Sequence, residues 1–211
     1  MIARIVEWIE KNKIFSRKRK TNEQRALGML LYRAGISYRM TEYFVGASYE
    51  AVREWYQKGR QLFAEQQVRK KRKRIAVDEK EISLGNEKVW LWAVWDIDNK
   101  QVIAIHISYT RNGFDAWVVL KRVAKLCKGK KPVIFVDGGK WYPWVLQRLG
   151  FRFAIMAFGP RSAIERFLSL VDWRIRRFWE RFPNKSTLKS LQRWAESFAG
   201  FTNYWIKEVL S

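Results

Sequence analysis

The chain has 211 residues, with 42 Lys and Arg against 20 Asp and Glu, a net charge of +22, one His and one Cys. At 48% hydrophobic and 16% aromatic, with 12 Trp, it is too rich in aromatics to be disordered and long enough for one full domain plus a small appendage. The single Cys and His exclude an internal disulfide and a four-ligand structural zinc site, and the longest apolar run, Val89–Trp95, is far too short to span a bilayer.

The charge implies a polyanionic partner, because each phosphate neutralised releases counterions and the effect adds along the surface. It is unevenly placed: residues 1–74 carry +12, 75–160 carry +5 and 161–211 carry +5. The expected partner is nucleic acid, in a reducing, cytoplasmic, nucleoid-associated setting with no membrane contact.

In chain order, two basic blocks come first, Lys11–Lys20 and the unbroken run Arg69–Arg74. Like-charge runs repel and read as exposed arms or linkers. Between them, Leu27, Leu30 and Leu31 recur at helical spacing over Glu23–Ala34, which stops at Gly35. A short helix over Ser37–Val45, a turn at Gly46-Ala47 and a third helix from Ser48 to Phe63 complete the outline of a helix-turn-helix. Its last helix would offer Tyr49, Glu50, Arg53 and Gln57 to the major groove, with Lys58 and Arg60 near phosphates. Arg69, Lys70, Lys71 and Arg72 in the following run would contact the DNA backbone.

From Arg74 the pattern becomes extended. Ile75–Val77, Val89–Trp95 and Val102–Ile107 read as strands, the last two joined by a turn at Asp98-Asn99. A helix over Ala116–Leu126, a buried strand at Val133–Val136, a helix over Trp141–Leu149, a strand at Arg152–Met156 and a helix over Arg161–Trp179, halted before Pro183, follow. The final helix runs over Thr187–Ile206, with Leu188, Leu191, Trp194, Phe198 and Phe201 on one side. Three antiparallel strands, helix, strand, helix, strand, helix is the order of a ribonuclease H-like α/β core, a mixed sheet flanked by helices and preceded here by an all-α domain. The expected division is 1–68 helix-turn-helix, 69–74 basic linker, 75–182 core and 183–211 a helix packed on the core.

Asp78 and Asp137 each follow an apolar run and are expected at the ends of neighbouring strands. A carboxylate there is costly to desolvate, and two side by side repel. A bound cation relieves both, and oxygen donors without His or Cys favour Mg²⁺, with Mn²⁺ as a substitute. Glu165, early in the Arg161–Trp179 helix, is the third candidate; together the three acids would hold two metal ions that act on the attacking and leaving oxygens of a phosphodiester. The competing reading makes Asp137-Gly138 a turn and pairs Glu165 with Arg161 or Arg166 at the surface. By alternation Glu79 faces away from Asp78 in a supporting or surface role. His106 and Cys127 read as structural residues. Trp141 and Trp144, beside Asp137, read as core or as a shelf for unstacked bases.

The runs Val77-Asp78-Glu79, Trp90-Leu91-Trp92 and Ser108-Tyr109-Thr110-Arg111 resemble the DDE transposases of the insertion-sequence six family. So do the runs from Val136 to Trp144, from Ile164 to Phe167 and from Arg177 to Pro183. The resemblance spans about residues 21–205 with its motifs in order. It implies catalytic, metal-binding acids at Asp78, Asp137 and Glu165, two Mg²⁺ ions, and DNA contacts at Arg111 and Lys140. It further implies a helix-turn-helix on double-stranded inverted-repeat ends, and a homodimer or higher oligomer on DNA. Hydrolysis at the element end followed by strand transfer is the implied reaction.

Ser162 stands where that family usually has Asn, and Asp172 where it usually has a base; the interval from Asp137 to Glu165 is also a few residues shorter. Asp172 is expected to repel DNA and Glu165, with Arg174, Arg176 and Arg177 supplying positive charge instead. Those departures motivate one alternative, a transposase-derived DNA-binding protein without chemistry. A second is a ribonuclease H-like nuclease that cuts without joining.

Overall fold

Residues 1–16, 19–156, 158–178, 182 and 186–209 are described in a computed structural model of the chain. Arg17 and Lys18 of the first basic block, the Trp179 end of the long helix, the stop at Pro183 and most of the Arg177–Pro183 run lie outside the described residues. Two compact units are present, Met1–Phe63 with Glu196–Ser211, and Ala64–Ala195.

In the first unit, α1 (Ile2–Lys11), α2 (Asn22–Arg33), α3 (Tyr38–Val45) and α4 (Tyr49–Glu65) follow one another. Thr21 opens α2 through a capping box with Gln24, and the Ser37 hydroxyl accepts from the Met40 N–H to open α3; each satisfies amides that a helix start leaves bare. Gly46 ends α3 at φ +60°, which a residue with a Cβ seldom adopts, and so permits the tight turn into α4. Tyr32 stacks on Tyr38 and meets Tyr56 edge-on at the centre of these helices. Expectation had no helix before Glu23. Yet α1 forms because Ile5, Trp8 and Ile9, at helical spacing, are buried.

The C-terminal helix, α8 (Leu188–Val209), departs from expectation in its second half. From Glu196 it belongs with the N-terminal helices rather than with the core. Phe201 stacks on Tyr56 with ring centroids 5.4 Å apart, and a Cβ at Gly59 would lie 2.5 Å from the Phe201 ring. Only glycine in α4 permits that approach.

The second unit is built on one five-stranded sheet ordered β3-β2-β1-β4-β5. Its strands are β1 (Arg74–Leu84), β2 (Glu87–Asp96), β3 (Gln101–Ser108), β4 (Val133–Val136) and β5 (Arg152–Ile155). The first three are antiparallel, and β4 and β5 run parallel to β1. Helices α5 (Gly113–Leu126), α6 (Tyr142–Arg148) and α7 (Ser162–Arg176) connect and cover it. This is a ribonuclease H-like fold, as the order of elements in the sequence implied. Alternation sorts the residues: Ile75, Val77, Trp92, Val94, Ile134 and Val136 join a core with α5 and α6, whereas Trp95 meets Phe167 of α7 on the opposite face.

β1 is much longer than the Ile75–Val77 expected. It continues through the charged run Asp78–Glu81 because every residue from Ile75 to Leu84 pairs with β2. Asp78 is therefore in mid-strand, not at a strand end.

The basic run 69–74 is not a free linker. The Lys70 amide donates to the Leu126 carbonyl, the Lys70 side chain to Asn99, and the Arg69 guanidinium to the Cys127 carbonyl. Arg72 is buried, donating to the Leu126 and Val68 carbonyls and to Asp96. Among the described residues no helix is long and apolar enough to cross a membrane.

Candidate active site

Ala76 of β1 pairs with Phe135 of β4 in parallel register. Two residues on, Asp78 continues β1 on the face that α7 covers, and Asp137 lies just past the end of β4, near enough to act on the charge of Asp78. The third acid, Glu165, is in the first turn of α7, opened by the Gly159-Pro160 turn. Both Asp137 and Glu165 act electrostatically on Asp78 and push its carboxyl upward, behind the larger effect of burial. The fold thus gathers all three predicted acids into one neighbourhood.

It does not join them into a coordination shell. Among the described residues no three His, Cys, Asp or Glu side chains are placed to hold a metal ion. An arginine stands among them instead. Arg161 Nη2 is 2.9 Å from Asp78 Oδ2, and its Nη1 is 3.9 Å from Glu165 Oε1. The Arg161 and Asp78 side chains are 7% and 13% exposed. The donor set is right in kind for Mg²⁺, hard carboxylate oxygens with Asp78 in need of positive charge. As arranged, however, Arg161 meets that need, and the two expected ions do not fit.

A second arginine lies on the other side of β1. Glu79 points toward α5 and α6, where it is wholly buried rather than at the surface. It accepts from the Tyr142 hydroxyl and from Arg111 Nε and Nη2, at 2.9 and 2.7 Å. The Arg111 guanidinium lies 4.4 Å from the centre of the Trp90 ring and 4.2 Å from that of Trp141, and 3.9 Å from Asp137 Oδ2. Burial raises the Glu79 carboxyl against the lowering effect of Tyr142 and Arg111, and burial with the Glu79 charge pushes the Tyr142 hydroxyl well above its ordinary value. Arg111 is held by two indole rings and by Glu79 while about a third of it stays in solvent, an immobilised cation at the rim of the acids.

No family model matches the chain. It is 38% identical over 209 residues to the uncharacterized protein MJ0017 of Methanocaldococcus jannaschii, covering 97% of this chain and 96% of that protein. The chain belongs to the MJ0017 family. Among solved structures it is similar to a chain of the simian T-cell lymphotropic virus intasome in complex with PP2A regulatory subunit B56 gamma (TM-score 0.48, 14% identity, 62% of this chain). It spans about half, 48%, of that intasome chain's length. It is also similar to the catalytic core domain of BIV integrase (TM-score 0.44, 11% identity, 65% of this chain and 96% of that one).

In this member of the MJ0017 family the remaining candidate cations divide by burial. Arg53, Arg60, Arg69, Lys71, Lys140, Arg176 and Arg177 are exposed; Gln57, Lys58 and Lys70 are half-buried, and Tyr49 is 41% exposed. Two expectations are corrected. Arg72 is spent inside the core unit, and Arg174 is buried with its guanidinium 4.2 Å from the Phe178 ring centre, so neither presents charge to a phosphate. Asp172 does not lack counter-charge, since Lys80 and Arg176 lie 3.6 and 3.1 Å from it. Ser162 is exposed, and Trp144 stacks on Trp117 while remaining half in solvent. His106 lies 3.6 Å from Asp115, and Cys127 is buried and unpaired with another Cys, consistent with structural roles.

Residue reasoning missed Arg161 as the partner of Asp78; it had paired Arg161 only with Glu165. It also missed the Glu79–Tyr142–Arg111 chain. The acid-aromatic-base composition of those motifs is visible in the sequence, but their contacts join β1, α6 and the segment after β3.

Proposed function

We propose that the chain is a DNA transposase of the DDE kind, similar to the insertion-sequence six family, with Asp78, Asp137 and Glu165 as its acidic site. The carrying observation is the β1–β4 register, which leaves Asp78 near Asp137 at the end of β4, with Glu165 of α7 also in electrostatic reach of Asp78. Acids that repel in a low-dielectric setting are retained where function needs them. The charge of +22 supports a polyanionic substrate. The Gly46 turn between α3 and α4 supports a helix-turn-helix, with Arg53, Gln57 and Tyr49 toward base edges and Lys58 and Arg60 toward phosphates of inverted-repeat ends.

In this reading Arg111 grips a phosphate oxygen beside Asp137, aided by Lys140, while Arg176 and Arg177 lead the duplex away. Hydrolysis at the element end is followed by attack of the freed 3′-hydroxyl on target DNA, by an oligomer that holds both ends. Incubation of the full chain with a duplex carrying the DNA that flanks its gene, with Mg²⁺ or Mn²⁺, tests this. Cleaved and joined products are expected, falling by roughly 100-fold or more in Asp78→Asn, Asp137→Asn and Glu165→Gln. Equal activity in the three variants refutes it.

One observation favours a second reading, a DNA-binding protein without chemistry: Arg161 already neutralises Asp78. Such a protein binds the same duplex equally well with and without Mg²⁺ and yields no product.

A further inference from the structure

The acids of a ribonuclease H-like site and a guanidinium compete here for the same place. Asp78 is a buried carboxylate in mid-strand, and Arg161 reaches both it and Glu165, two of the three acids, with its two terminal nitrogens. The seat is not a complete one for an arginine. Nη1 donates to the Met156 carbonyl at 3.1 Å, but Nε is buried with no hydrogen-bond partner. An unmet buried donor is costly, so this seat leaves the guanidinium one hydrogen bond short. Arg161 follows Gly159-Pro160, where Gly159 has φ +79°.

We infer that Arg161 is a built-in substitute for the cation: its guanidinium occupies the place beside Asp78 and Glu165 that a divalent ion would need, and excludes one in the structure as it stands. The inference rests on the reading of Asp78, Asp137 and Glu165 as an acidic reaction site. Arg161 is on this account a positioning residue that acts through Asp78 and never touches DNA. Its removal leaves a buried carboxylate near two other acids, which must then either take up a proton or bind a cation.

The test is Mn²⁺ binding to the full chain, read by calorimetry and by thermal unfolding with and without the ion, in wild type, Arg161→Ala and Arg161→Ala with Asp78→Asn. The single variant is expected to bind Mn²⁺ roughly tenfold or more tightly than wild type and to gain more melting temperature from it. The added Asp78→Asn change abolishes both gains. Equal affinity in wild type and Arg161→Ala overturns the inference, as does gain that survives loss of Asp78. If Arg161→Ala fails to fold without metal, refolding in Mn²⁺ is expected to recover it. An Asp78→Asn, Arg161→Met protein, in which both members of the buried ion pair are neutral, folds without metal; its failure to fold makes Arg161 a packing residue and overturns the inference. Wild-type DNA cleavage is assayed alongside. Cleavage with metal affinity unchanged by Arg161→Ala sinks this inference alone, whereas no metal binding by either protein and no cleavage sinks the transposase reading as well.

Discussion

Arg72 and Asp96 form an ion pair in which neither side chain exposes any surface. The Asp96 carboxylate also accepts from the Asn99 backbone and side chain, so the pair ties the strand entering the sheet to the β2–β3 turn. Its neighbour Lys71 is exposed. Arg72→Ala strands a buried carboxylate and is expected to cost about 3–5 kcal/mol in denaturant unfolding. Lys71→Ala is expected to change stability by less than about 0.5 kcal/mol and to lower the slope of log affinity for DNA against log salt by about 0.9. The opposite pattern would return Arg72 to the DNA surface.

Arg111 shows what lysine cannot replace. Arg111→Lys keeps the charge but loses the planar group that lies over the Trp90 and Trp141 rings and the two-nitrogen grip on Glu79. Glu79 is left short of a donor, at an expected cost of about 1–3 kcal/mol, and DNA cleavage falls with it. A variant as stable and as active as wild type would make the aromatic bracket incidental.

The pH dependence of stability follows from Glu79. Its folded carboxyl is raised above the ordinary value of 4.5, chiefly by burial. The native state holds this proton more tightly than the unfolded chain does. The favourable contribution is therefore complete below 4.5 and lost as pH rises through the raised folded value. Glu79→Gln does not titrate, so its stability relative to wild type should climb as pH rises from about 4 to about 7. A difference that is flat or falls over that window contradicts the assignment; thermal unfolding of both proteins in a buffer series reads it.

On α4, Arg53 and Arg60 are both exposed but are assigned different work. Arg53→Ala is expected to cost about 1–3 kcal/mol of discrimination at one base position. Arg60→Ala should weaken binding to all sequences alike. Competition binding with permuted end duplexes separates the two, and uniform loss in both variants would remove α4 from the major groove.

Much of the scaffold is legible in the residues themselves, because its signals are local. Ser37, Gly46, the Asp98-Asn99 turn and the apolar runs of β2, β3 and β4 each act within a few positions, and they yield the element order of a ribonuclease H-like core. The acids also stand out one by one, since Asp78 and Asp137 interrupt or follow apolar stretches. The length of β1 was hidden because Asp78–Glu81 looks like a solvated turn; only pairing with β2 makes that charged run a strand.

The fate of each charge was beyond the sequence. Lys71 and Arg72 are neighbours in one basic run, yet one faces solvent and the other the core; Asp78 and Glu79 are neighbours in one strand, yet they meet Arg161 and Arg111 on opposite faces of the sheet. Sequence by itself determined which residues carry charge and, α1 and the charged half of β1 apart, which segments become helix or strand. Tertiary structure alone decided which charges are buried and against what, because a charge removed from water must find its partner in space, and those partners are 24 to 83 residues away along the chain.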